Sequence, residues 1–89
     1  MIRTRNLSLT TSAVQVTLQD SVDSPNSISI QNTSLSGNVY VGNASVTTTS
    51  YGYKLFPSQA ITMDIVPYEK VYVVGESGTT AAILIMDIP

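Results

Sequence analysis

The side chains able to do chemistry in this chain are few and scattered. Asp64 and Asp87 each fall in a strand-like run, and two carboxylates held roughly 5–10 Å apart can act as acid and base. No motif places a Lys or Tyr beside them, and the chain has no His, so no catalytic residue is assigned. Asp20, Asp23 and Asn26 recur at three-residue intervals in one polar stretch, and calcium accepts such oxygen ligands. The alternating acidic positions and terminal Glu of an EF-hand are missing, so these read as turn residues flanking Pro25. Tyr51 and Tyr53, with Phe56, Asn43 and Lys54 close in sequence, could form an aromatic platform for a glycan. The competing reading is a loop that anchors itself on the core through Leu55 and Phe56 ahead of Pro57. Asn6-Leu7-Ser8, Asn32-Thr33-Ser34 and Asn43-Ala44-Ser45 fit the glycosylation acceptor pattern, which arises by chance in a chain this rich in Asn, Ser and Thr. Arg3 and Arg5 could pair with an acidic partner surface.

Composition closes off more. The 89 residues contain no Cys, His or Trp, which excludes zinc fingers, thiol nucleophiles, imidazole bases and axial haem histidines. No cofactor and no metal are expected. Charged residues make up only 11%, against about a quarter in ordinary domains, and the net charge is -2. Four Lys/Arg do not make the basic footprint of a nucleic-acid binder. With 43% apolar residues, many of them β-branched, the chain is expected to fold as a single domain. The longest apolar run, 81–86, is too short to span a bilayer, and residues 6–12 are polar where a signal peptide would be apolar. The chain therefore reads as cytoplasmically made, with no membrane partner.

Period-two alternation positions these residues. Val14, Val16 and Leu18 share one face of a run, as do Ile28 and Ile30, and Ile61, Met63 and Ile65. Gly42-Asn43 between Val39-Tyr40-Val41 and Ala44-Ser45-Val46-Thr47 reads as a hairpin turn. Residues 51–59 form the longest irregular stretch, and Pro57 forbids a central strand there. No helix start is followed by a 3.6-residue period. The expected fold is all-β: one small β-sandwich or jelly-roll-like domain of seven or eight short antiparallel strands, with residues 1–12 as an N-terminal arm and 13–89 as the sandwich. The expected core is Val14, Val16, Leu18, Ile28, Ile30, Val46, Ile61, Met63, Ile65 and Val71. Residues 81–86, Ala-Ala-Ile-Leu-Ile-Met, are apolar on both faces, as in a strand covered on both sides. Either a loop or the arm of this chain, or a neighbouring subunit, would supply the cover.

Taken in order, several segments resemble a family of small β-sandwich virion proteins of tailed bacteriophages. They are Leu7-Ser8-Leu9-Thr10-Thr11-Ser12-Ala13, Ile30-Gln31-Asn32-Thr33-Ser34, Val39-Tyr40-Val41-Gly42, Val46-Thr47, Gly52-Tyr53-Lys54-Leu55-Phe56-Pro57-Ser58-Gln59, Met63-Asp64-Ile65, Val71-Tyr72-Val73-Val74 and Ser77-Gly78-Thr79. Pro57-Ser58-Gln59 departs from the commoner Pro-Gly-Glu form. The resemblance implies a structural virion component, a capsid decoration (cement) protein or head-fibre base, with the major capsid protein as partner and no catalytic residues. A homotrimer would suit threefold capsid positions, since closed cyclic symmetry is the rule for oligomers. Expected contact residues are Arg3, Arg5, Leu7 and Leu9 of the arm and Ala82, Leu84 and Met86 of the last strand, with Tyr51 and Tyr53 as glycan-contact candidates. The alternatives are a tail, fibre or head-fibre component of the virion and a glycan-binding host-recognition module.

Overall fold

The computed structural model describes residues 2–16, 26–65, 69–76 and 78–87. Eight strands form two four-stranded antiparallel sheets. They are β1 (Ile2–Ser8), β2 (Val14–Gln15), β3 (Asn26–Asn32), β4 (Val39–Gly42), β5 (Tyr53–Leu55), β6 (Ala60–Ile65), β7 (Tyr72–Gly75) and β8 (Thr80–Asp87). Sheet A runs in the order β1-β8-β3-β6 and sheet B in the order β2-β7-β4-β5. The pairs β4·β5, β3·β6, β2·β7 and β1·β8 make the chain one long hairpin folded at its middle. The further pairs β3·β8 and β4·β7 wrap that hairpin into two sheets, which is the jelly-roll arrangement.

Alternation decides the inner faces. In sheet A, Ile28 and Ile30 lie opposite Ile85 and Ile83 on one side and Met63 and Ile61 on the other. In sheet B, Val39, Val41, Val73 and Leu55 face them across the core, joined by Leu9, Val16 and Val71. Of the expected core, Val16, Ile28, Ile30, Val46 and Val71 are buried, while Val14, Ile61, Met63 and Ile65 are half-buried. Leu18 lies outside the described residues.

Three expectations are corrected. Residues 2–8 are not a free arm: they form β1, in register with β8 from Ile2 opposite Met86 to Ser8 opposite Thr80. Arg3, Arg5 and Leu7 point inward on this strand, and the Arg5 guanidinium donates to the carbonyls of Gln15 and Val16 at 3.0 and 2.9 Å. Two backbone acceptors on the other sheet thus satisfy a charge whose inward position disguised the strand. Second, residues 44–47 do not pair with β4. The Asn43 side chain accepts the Ser45 N–H at 2.9 Å and the Asn43 carbonyl accepts the Val46 N–H at 3.0 Å, which turns the chain out of the ladder. Strand β4 pairs instead with β5, inside the stretch expected to be irregular. Third, β1 lies beside β8 rather than over it, so it does not cover the strand's outer face.

The close approach of sheet and turn sets two glycines. A Cβ on Gly75 would overlap the Thr79 hydroxyl and stand 3.0 Å from Leu9 Cβ. Gly37 has φ +90°, and a Cβ there would come within 2.7 Å of Thr79 Cγ2. Thr79 is itself buried, with its hydroxyl donating to the Glu76 carbonyl at 2.8 Å.

Candidate interaction surface

The two sheets differ in what lies on their outer faces. On sheet B, Tyr40, Val74 and Tyr72 point away from the main core, and residues 43–52 fold back over them. Val46, 5% exposed, packs on Tyr40 and Val74. Tyr51 meets Tyr40 with ring centroids 4.9 Å apart, and the Lys54 ammonium lies 5.8 Å from the Tyr40 centroid and 5.1 Å from that of Phe56. The chain covers this face itself.

No described residue covers the outer face of sheet A. Register aligns three rows across it: Ile2, Met86, Ser27 and Asp64; Thr4, Leu84, Ser29 and Thr62; Asn6, Ala82, Gln31 and Ala60. Ser29 and Thr62 hydroxyls bond across the strands at 2.9 Å. Ile2 is 66% exposed, Met86 39%, and Leu84 is half-buried between them. A shallow depression lined by Thr4, Asn6, Ser29, Thr62, Ala82 and Leu84 crosses this face. It combines an apolar stripe with a hydroxyl- and amide-bearing field, and its described charge is the exposed Asp64. Such a surface can bury area against a partner without a large desolvation cost for charge.

The expected contact residues divide accordingly. Ala82, Leu84 and Met86 come together on the open face, joined by Ile2, which the alternation of residues 2–8 could have identified. Leu9 is 2% exposed in the core and is not a contact residue. Arg3, Arg5 and Leu7 lie on the inner side of the edge strand. Tyr51 and Tyr53 do not share a platform: Tyr51 sits against Tyr40 on the outer face, whereas Tyr53 is opposite Val41 on the inner side of edge strand β5. Beside Tyr51, a cleft is lined by Asn43, Val46 and Ser50. Asp64 is exposed, and the Asp87 side chain, like Asp20 and Asp23, lies outside the described residues. Among the described residues, no three His, Cys, Asp or Glu gather as a metal cluster would require, and no helix is long and apolar enough to cross a membrane.

Of the acceptor triplets, Asn32 is fully buried and serves the fold. Its amide donates to the carbonyls of Gly37 and Leu55, each at 3.0 Å, and its oxygen accepts the Ser34 N–H at 2.9 Å. The side chain thus ties the end of β3 in sheet A to β5 in sheet B. Asn6 and Asn43 are exposed.

No family model and no curated protein matches the chain. Among solved structures, a chain from Bacillus endospore appendages, described as a novel family of disulfide-linked pili, shares the fold with a TM-score of 0.56. The alignment covers 100% of this chain and 87% of that one at 6% identity, so the likeness is one of architecture. Cysteine is absent here, so this chain offers no side chain for such a linkage.

Proposed function

We propose that this protein is a structural component of a phage particle, decorating the head by laying the outer face of sheet A on the capsid lattice. One observation carries the reading: sheet B is covered by its own chain, while sheet A presents an open stripe of Ile2, Leu84 and Met86 beside Ser and Thr rows. A lattice multiplies modest contacts, because each bound copy engages a repeating surface. The trimer belongs to this proposal as the form that matches threefold positions.

The test is binding of purified protein to heads stripped of accessory proteins, compared with Leu84→Glu. Leu84 is half-buried on the outer face, so the variant is expected to fold while losing head binding. Unchanged binding by folded Leu84→Glu contradicts the proposed face. A second reading, a tail, fibre or head-fibre component, is favoured by the shared architecture with a chain from appendages described as pili. It differs in stoichiometry, with few copies at one site in place of many over the head.

A further inference from the structure

We propose that the chain associates head to tail with copies of itself, strand β1 of one copy pairing antiparallel with strand β6 of the next. This rests on the edges of sheet A and needs no capsid. Strands β1 and β6 are the two edges of that sheet, seven and six residues long, whereas among the described residues the edges of sheet B have two and three. Long open edges are templates for another strand, and very short ones are not.

Hydrogen-bond alternation identifies the groups on offer. Leu9 donates its N–H to the Thr79 carbonyl, so odd-numbered residues of β1 turn toward β8 and even-numbered ones turn outward. Asn32 donates to the Gln59 carbonyl and accepts from the Ser58 N–H, so Ile61 and Met63 turn toward β3 while Ala60, Thr62 and Asp64 turn outward. Thr4, Asn6, Ser8, Ala60, Thr62 and Asp64 are all exposed. Their side chains share the outer face, so outward-facing groups meet in a register that keeps the inner faces continuous.

The partner that fits is a second copy. Successive strands of sheet A alternate in direction, so β1 and β6 run oppositely and an unrotated neighbour meets them antiparallel. With Thr4 opposite Asp64 of the next copy, all six residues of β6 are paired. Leu7 then lies beside Ile61, and the stems of Arg5 and Arg3 lie along Met63 and Ile65, which are half-buried at an edge where no described strand follows β6. Charge favours the same choice. Joining β1 to β1 of a copy can set Arg3 opposite Arg5, whereas β6 carries Asp64 as its charge. A head-to-tail contact closes as a ring or grows as a chain.

Sedimentation velocity tests this with Thr4→Pro and Thr62→Pro, each removing an outward N–H that has no acceptor among the described residues. Wild-type mass is expected to rise with concentration, while each variant alone stays monomeric and an equimolar mixture forms one-to-one dimers. A wild type that stays monomeric to millimolar concentration overturns the proposal. So does a variant that associates as wild type does, or a mixture of folded variants that stays monomeric. Dimers of Thr4→Pro alone would show two-fold β6 pairing and also overturn it. Should the proline variants fail to fold, Ile65→Arg, which sets a cation opposite Arg3 of the next copy, is expected to weaken association about fivefold, and unchanged association counts against the contact. Head binding is read separately, so either proposal can fail without the other.

Discussion

Replacing Asn32 with Ala should destabilise the protein far more than the same replacement at Asn43, although both side chains accept the backbone N–H two residues on at 2.9 Å. The difference is burial. Removing the Asn43 amide exposes the Ser45 N–H to water, for about 0.5 kcal/mol or less. Asn32→Ala leaves the buried Leu55 carbonyl and the partly buried Gly37 carbonyl and Ser34 N–H without their partner. An unsatisfied buried group costs about 1–3 kcal/mol and a partly buried one less, so the sum is about 2–4 kcal/mol. That is a large share of the roughly 4–13 kcal/mol expected for a chain this long. At about 4–8 °C per kcal/mol, the midpoint should fall by roughly 10–30 °C in a thermal melt followed by circular dichroism. Asn32→Asp adds a directional test. An oxygen would replace a donor between two carbonyls, so the folded state favours the protonated acid and raises its pKa above the unfolded value of about 3.9. Relative to wild type, that variant should be least destabilised below pH 4 and lose stability as pH rises through the raised folded pKa. Equal losses for Asn32→Ala and Asn43→Ala would refute the claim that the buried amide ties the sheets together.

Three further outcomes follow from local geometry. Ser58 holds a φ of 71° after Pro57, in a turn closed by the Gln59 N–H on the Phe56 carbonyl at 3.0 Å, so Ser58→Gly should stabilise by about 0.5–1 kcal/mol in urea titration. A lower midpoint would contradict the strain. Gly75→Ala should cost about 1–3 kcal/mol by driving a methyl into Thr79 and Leu9, and Thr79→Ser should leave that cost standing because the overlap is with the hydroxyl. Arg5→Ala should cost about 1–2 kcal/mol through two lost bonds to carbonyls, with hydrogen exchange quickening around Val14 to Val16; unchanged exchange would remove Arg5 as a tie between β1 and β2.

Alternation made β3 and β6 legible because each has one apolar face in the core, and an unbroken apolar run marked β8. It failed at β1, where Arg3 and Arg5 occupy inward positions and only the carbonyls of Gln15 and Val16, distant in sequence from β1, explain Arg5. It also failed at residues 44–47: Val46 is buried, but on the outside of sheet B, where a loop residue does the work expected of a strand. The apolar character of Ala82, Leu84 and Met86 was plain in the sequence. Its bareness was not, since the same pattern would serve a strand covered on both faces. Asn32 looked like one of three equivalent acceptor triplets, and only its position at the β3–β5 crossing distinguishes it.

The central claim is that the protein acts by occupying a lattice, and its copy number in purified particles tests that directly. Quantitative mass spectrometry against the major capsid protein should find hundreds of copies per head, removed together when sheet A carries Leu84→Glu. Particles that carry none, or that keep full occupancy with the folded variant, would contradict it.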